Sequence, residues 1–135
     1  MFTYKKTINF YDCDPAGILF FAKIFELCHS AYESLIRSFN LKEDYWNSDE
    51  FVVPIIKSEA SFHYPIKNGD EITVELFVKQ LKDSSFELNY ICKNTRGDLC
   101  NEVKTIHVFV RKSTWTKTKM KAEIHKGLLN YYNQA

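Results

Sequence analysis

The chain has 135 residues, the size of one domain with its own hydrophobic core. Its 18 basic and 17 acidic residues give a formal net charge of +1, too little to attract a polyanion, so nucleic acid is excluded as the main partner. Hydrophobic residues make up 45%, and the 11 Phe, 8 Tyr and 2 Trp exceed what a minimal core needs. We therefore expect a single domain over residues 1–135, with a ligand pocket or a subunit interface.

The sequence offers no sign of a membrane span, a signal peptide or a metal site. No stretch of 18 apolar residues occurs, and no apolar segment with a cleavage site follows the N-terminal lysines. The cysteines Cys13, Cys28, Cys92 and Cys100 form no C-x-x-C pair, and the histidines show no H-x-x-x-H spacing. We expect a cytoplasmic protein with free thiols that needs no membrane, metal or cofactor.

The first half of the chain predicts one strand and one long helix. Residues 3–10 are rich in β-branched and aromatic side chains, which predicts a strand, and Pro15 and Gly17 then require a loop. From Phe21 to Phe39 apolar residues recur at steps of three and four. This spacing predicts an amphipathic helix with one buried face.

The second half predicts consecutive antiparallel strands. Asn68-Gly69-Asp70 is a strong hairpin turn signal, and apolar residues alternate with polar ones on both sides of it. A C-terminal helix is predicted around residues 120–132. One long helix followed by hairpins favours an α+β fold over alternating βαβ units. The predicted strands are residues 52–64, 72–79, 86–92 and 103–110.

Two aspartates, Asp12 and Asp14, lie immediately before the predicted helix. One interpretation makes Asp14 the N-cap of that helix with Pro15 at its first position, a combination that helix starts favour. The other makes Asp14 a reactive carboxylate near the free N–H groups of the helix start. Spacing alone favours the cap, because caps far outnumber catalytic carboxylates. For Asp12 we expect a structural role in the turn.

The segment around these aspartates resembles the signature of the 4-hydroxybenzoyl-CoA thioesterase family, D-x-D-x-x-G followed by an aromatic-rich helix entry. Residues 12–18 read D-C-D-P-A-G-I, the form found in the 4-hydroxybenzoyl-CoA enzyme itself. Residues 51–74 are similar to the family's second strand and its G-D-x-h-x-V hairpin. Residues 28–34, C-H-S-A-Y-E-S, resemble the relatives that hydrolyse 1,4-dihydroxy-2-naphthoyl-CoA.

This resemblance implies a hotdog fold, a five-stranded antiparallel sheet wrapped around one long central helix, here followed by a C-terminal helix. It implies a homodimer, or a dimer of dimers, with active sites at the interface. The implied activity is hydrolysis of an aromatic acyl-CoA thioester, such as 4-hydroxybenzoyl-CoA or 1,4-dihydroxy-2-naphthoyl-CoA, with coenzyme A only as part of the substrate. Asp14 would be the catalytic carboxylate, as nucleophile or general base, and the backbone N–H of Phe21 would hold the oxyanion.

Further candidates surround these two positions, and each has a simpler alternative. Phenylalanines near Asp14 are also explained by core packing, a histidine by the core boundary, and scattered lysines by a solvated surface. A second function is left open, a hotdog protein that binds an acyl-CoA or acyl-carrier thioester without hydrolysing it. The substrate-binding candidates are Gly17, Phe20, Phe25, His29 and Ser85, and the candidates for the coenzyme A phosphates are Lys57 and Lys82.

Overall fold

The computed structural model describes residues 1–133, so the last two residues of the expected domain lie outside the described part of the chain. The elements are arranged along the chain as strand, long helix, six strands and short helix. The strands are β1 (Phe2–Thr7), β2 (Phe51–Val52), β3 (Ile55–Phe62), β4 (Glu71–Leu81), β5 (Ser85–Lys93), β6 (Leu99–Val108) and β7 (Val110–Arg111), and the helices are α1 (Lys23–Ser38) and α2 (Ala122–Leu129).

Five strands form one antiparallel sheet in the order β1-β4-β5-β6-β3, and β2 pairs with β7 in a second, two-stranded sheet. The helix α1 lies against the inner face of the large sheet. This arrangement is the predicted α+β hotdog fold, with the central helix and the C-terminal helix both present.

The core forms where the apolar side of α1 meets the inward side chains of the sheet. In β4 every second residue from Ile72 to Val78 is buried, as the alternating sequence predicted. On α1 the buried residues recur at helical spacing, so one face of the helix is removed from water. The helix ends because Asn40 adopts a left-handed conformation with φ of 51° just beyond it. The buried residues of α1 are Ile24, Leu27, Cys28, Ala31, Tyr32, Leu35 and Ile36.

Two of the boundaries that differ from the prediction have a local cause. The first strand ends at Thr7, because Phe10–Asp12 forms a short 3-10 helix in which Asp12 accepts a hydrogen bond from the Asn9 N–H at 3.1 Å. The predicted strand 52–64 is divided at Pro54, which has no N–H to donate to a neighbouring strand.

The hydrogen bond from the Asn9 N–H gives Asp12 the structural role that was expected of it.

The strand β3 is an edge of the large sheet and is exposed along most of its length. Its apolar residues Ile55, Ile56 and Phe62 are among the large side chains left open to water. An open edge with apolar side chains is a surface on which another strand can pair. No helix within residues 1–133 is long and apolar enough to cross a membrane.

Candidate active site

Asp14 lies on a short hairpin that precedes α1. Its N–H donates to the carbonyl of Ile18 at 2.9 Å, and the Gly17 N–H donates back to the Asp14 carbonyl at 2.9 Å. Gly17 has a φ of +80°, which a residue with a Cβ adopts only under strain. This is the geometry of a three-residue hairpin loop closed by a left-handed glycine. The loop therefore gives Asp14 a fixed backbone.

The carboxylate of Asp14 is fixed by the same turn. Its Oδ1 accepts a hydrogen bond from the Ala16 N–H at 2.9 Å, and the residue is half-buried. The N-cap of α1 is Ala22, and the helix begins only at Lys23. The interpretation of Asp14 as a helix cap is therefore wrong. Asp14 caps its own turn, and its second carboxylate oxygen has no hydrogen-bond partner within residues 1–133.

The turn before α1 leaves backbone donors free. Lys23 donates its N–H to the Phe20 carbonyl at 2.8 Å, which closes the turn into the helix. The N–H of Phe21 donates to no acceptor in the described part of the chain. Such free N–H groups are the usual state of a helix start, where they can bind an oxyanion. The Phe20 N–H donates to the Asp12 carbonyl at 3.0 Å, so this turn lies beside the Asp14 hairpin.

The aromatic side chains at this turn are on the surface. The Phe20 and Phe21 rings contact each other with centroids 5.0 Å apart and are 43% and 64% exposed. Core packing therefore does not explain these two residues. Phe25, one helical turn further, is half-buried and packs against the core.

A cavity of about 290 Å³ opens between α1 and the inner face of the sheet. This volume is at the lower end of ligand pockets and suits an aromatic ring, but it is too small for a whole coenzyme A thioester. Two of the predicted substrate-binding residues, Phe25 and His29, lie together in its wall. His29 is paired through Nδ1 with Glu33 at 2.7 Å. The lining residues are Phe25, His29, Ile55, Ser58, Tyr90 and Thr105.

A buried hydrogen-bond chain leads away from this cavity and was not foreseen. The Tyr90 hydroxyl lies 2.8 Å from Thr105 Oγ1, which lies 2.7 Å from His107 Nε2. His107 is 0% exposed and stacks on Phe86 with centroids 4.6 Å apart. Burial, with a smaller effect from His29, lowers the pKa of His107 to about 3, so its ring is neutral near pH 7. Its Nδ1 has no hydrogen-bond partner among residues 1–133.

The remaining candidates lie elsewhere in a single copy of the chain. Ser85 and Lys82 are at the β4–β5 turn. The Asp14 hairpin lies beyond the other end of β4, where its Gly17 carbonyl accepts a hydrogen bond from the Asn68 N–H. At about 3.3 Å per residue, the 11 residues of β4 place these ends roughly 30 Å apart. Lys57 is on the outer face of β3, 3.6 Å from Glu59. One chain therefore does not bring Ser85 and Lys82 to Asp14, and it places Lys57 on the face of the sheet away from the cavity.

No group of three or more His, Cys, Asp and Glu side chains in residues 1–133 is arranged to hold a metal ion. All four cysteines are free thiols, as predicted. Cys28, Cys92 and Cys100 are buried and Cys13 is half-buried. Burial first, and then the neighbouring carboxylates, raise the pKa of Cys13, so its thiol is not activated as a nucleophile.

The fold agrees with a comparison to known protein families. The thioesterase-like superfamily matches residues 8–128, and the chain therefore belongs to that superfamily.

The similarity to named relatives extends over nearly the whole chain. A 1,4-dihydroxy-2-naphthoyl-CoA hydrolase of Trichodesmium erythraeum is 30% identical and one of Rippkaea orientalis 31% identical, each with 96% of both chains covered. The crystal structure of a 1,4-dihydroxy-2-naphthoyl-CoA thioesterase from Synechocystis superposes with a TM-score of 0.89 at 25% identity, again with 96% of each chain covered.

Proposed function

We propose that this protein hydrolyses an aromatic acyl-CoA thioester to the free acid and coenzyme A, with 1,4-dihydroxy-2-naphthoyl-CoA as the first candidate substrate. The observation that carries the proposal is the full-length similarity, at 30% and 31% identity, to two relatives named for that hydrolysis. The D-C-D-P-A-G-I segment makes 4-hydroxybenzoyl-CoA the second substrate to compare.

Asp14 is the proposed catalytic residue, and two balanced routes are open to it. As a nucleophile, its carboxylate attacks the thioester carbonyl carbon, the C–S bond breaks, coenzyme A leaves as the thiolate, and water then cleaves the resulting anhydride. As a general base, it takes a proton from a water molecule as that water attacks the same carbon, and the C–S bond of the resulting intermediate then breaks so that coenzyme A leaves as the thiolate. Both routes use an ionised carboxylate held in one orientation, which the bond to Ala16 supports.

The free N–H of Phe21 is the proposed donor to the oxyanion that forms when the carbonyl carbon is attacked. A backbone donor at a helix start carries partial positive charge and needs no particular side chain. Phe25 follows Phe21 by one helical turn and lines the 290 Å³ cavity. We propose that an acyl group whose carbonyl is bound at Phe21 places its ring in that cavity.

The complete site is proposed to need a second copy of the chain. The open edge β3 offers apolar side chains for pairing. Within a single copy Ser85 and Lys82 lie at the far end of β4 from Asp14, and Lys57 lies on the outer face of the sheet. A homodimer, or a dimer of dimers, could place those residues of one copy near the coenzyme A bound at the other. We further propose a single-domain protein in the cytoplasm.

The experiment that tests the function is a thiol-release assay over a panel of acyl-CoAs at one pH. We expect kcat/KM to be highest for 1,4-dihydroxy-2-naphthoyl-CoA, lower for 4-hydroxybenzoyl-CoA and phenylacetyl-CoA, and lowest for straight-chain thioesters. Tight binding of an aromatic acyl-CoA without release of thiol would support the non-hydrolytic binder instead. A clear preference for straight chains would overturn the aromatic assignment.

A further inference from the structure

The cavity beside α1 has a polar end that an apolar ring alone would not require. Tyr90 and Thr105 both line the cavity, and their hydroxyls are bonded to each other at 2.8 Å. The chain continues inward to His107 at 2.7 Å and stops there. Buried polar groups are costly unless they are hydrogen-bonded. The end of this hydrogen-bond chain at the cavity is the Tyr90 hydroxyl, and a ligand in the cavity is its expected partner.

We infer that the Tyr90 hydroxyl, positioned by Thr105 and His107, hydrogen bonds an oxygen substituent on the aromatic ring of the acyl group. This inference rests on the proposed function, because it names the part of the substrate that the cavity recognises. Tyr90 is the specificity-determining residue, and Thr105 and His107 are positioning residues.

The neutral His107 ring determines the direction in which the hydrogen bonds of this chain are donated. A neutral imidazole carries one N–H, and each hydroxyl donates one hydrogen. If the hydrogen is on Nδ1 of His107, a buried N–H has no acceptor; if it is on Nε2, only a lone pair is left unpaired. Orphaned buried N–H groups are the rarer case in proteins. The favoured direction therefore has Nε2–H donating to Thr105 Oγ1 and Thr105 donating to Tyr90.

In this direction the Tyr90 O–H has no acceptor among residues 1–133 and can donate into the cavity. A ring hydroxyl or its deprotonated oxygen accepts that bond. The rest of the wall supplies apolar contact through Phe25 and Ile55, and the cavity volume of about 290 Å³ admits a substituted aromatic ring. A few polar groups in an apolar wall are the usual way a pocket fixes the orientation of its ligand.

The test compares matched substrates that differ only in ring oxygens. The pairs are 4-hydroxybenzoyl-CoA with benzoyl-CoA, and 1,4-dihydroxy-2-naphthoyl-CoA with 2-naphthoyl-CoA. The wild-type protein should prefer the oxygenated member by about ten-fold or more in kcat/KM. Tyr90→Phe keeps the ring and removes the donor, so it should reduce this preference by about ten-fold. Thr105→Val removes the hydroxyl between Tyr90 and His107 and should also reduce this preference.

Tyr4→Phe is the matched control, because Tyr4 is on the edge strand β1, which is separated from β5 by β4, and should leave the preference unchanged. A purely structural role of Tyr90 would lower the activity on both substrates of a pair and leave their ratio as it is. That result, or a wild-type protein without preference for the oxygenated member, overturns the inference and leaves the proposed function standing.

The wild-type ratio and the Thr105→Val variant decide the question even if Tyr90→Phe does not fold. If the wild-type protein cleaves no aromatic thioester, the proposed function and the inference fall together. Failure of the inference alone and failure of the function are therefore distinct results of one experiment.

Discussion

The Oδ1 atom of Asp14 accepts a hydrogen bond from the backbone N–H of Ala16 at 2.9 Å. This bond ties the candidate catalytic carboxylate to its own hairpin loop and not to α1, which begins at Lys23. An asparagine side chain also has an oxygen that can accept this bond. Position 14 can therefore lose its negative charge without losing the turn.

The first prediction separates the structural role of Asp14 from its chemistry. Asp14→Ala removes the acceptor and should lower the free energy of unfolding by about 0.5–1.5 kcal/mol, the usual net value of one hydrogen bond. Asp14→Asn should retain most of that stability, as measured by urea unfolding. Equal losses in the two variants would show that the bond to Ala16 does not stabilise the loop.

The second prediction concerns the glycine that closes the loop. Gly17 has a φ of +80°, and an added Cβ would meet no atom within 4 Å, so any cost of a side chain is a backbone cost. Gly17→Ala should lower the free energy of unfolding by about 1–2 kcal/mol. Gly17→Asn should cost less, because asparagine tolerates the left-handed region. Thermal unfolding of the two variants checks the order, and an alanine variant as stable as the wild type would contradict it.

The third prediction is a pH dependence of stability that comes from His107. The folded protein holds the pKa of this residue at about 3, below its ordinary value of 6.5. Above pH 6.5 the His107 ring is neutral in both the folded and the unfolded protein, so it adds no pH dependence to the free energy of unfolding. Below pH 6.5 the unfolded chain takes up a proton that the folded protein does not, so stability falls as the pH falls from 6.5 towards 3. Between pH 6.5 and 4 this loss is about 3 kcal/mol.

Urea unfolding of wild type and His107→Phe across this range measures the effect. The variant has no group to protonate at this position, so its stability should fall less steeply with decreasing pH. His63→Gln is the control, because His63 is on the surface beside Glu102 and its removal should not flatten the curve in the same way. Parallel curves for the wild type and His107→Phe would contradict the assignment.

The sheet and the helix could be predicted because an element buried on one face has apolar residues at regular intervals in the sequence. The alternation over residues 72–79 became β4, and the three- and four-residue steps became α1. The helix-cap interpretation of Asp14, which spacing alone favoured, is wrong for an equally local reason. Asp, Pro and Gly at the first, second and fourth positions fit a tight turn as well as they fit a helix start.

The cavity wall could not be predicted, because its residues come together only through strand pairing. Tyr90 and Thr105 belong to different strands and are joined by the register of β5 on β6. A weaker signal was present in the sequence. Thr105 and His107 are polar residues two apart in a strand, so they share a face with the buried Val103. Polar side chains on the inward face of a strand were the sign that this strand lines a site.

Thiol release by Asp14→Asn, with 1,4-dihydroxy-2-naphthoyl-CoA as substrate, shows whether the reaction depends on the Asp14 carboxylate. The variant keeps an acceptor for Ala16 but has neither a nucleophilic nor a basic carboxylate, so kcat should fall by about a hundred-fold or more. Asp49→Asn, at an exposed position in the loop before β2, is the matched control and should retain wild-type turnover. Wild-type turnover by a folded Asp14→Asn protein would show that this carboxylate takes no part in the reaction.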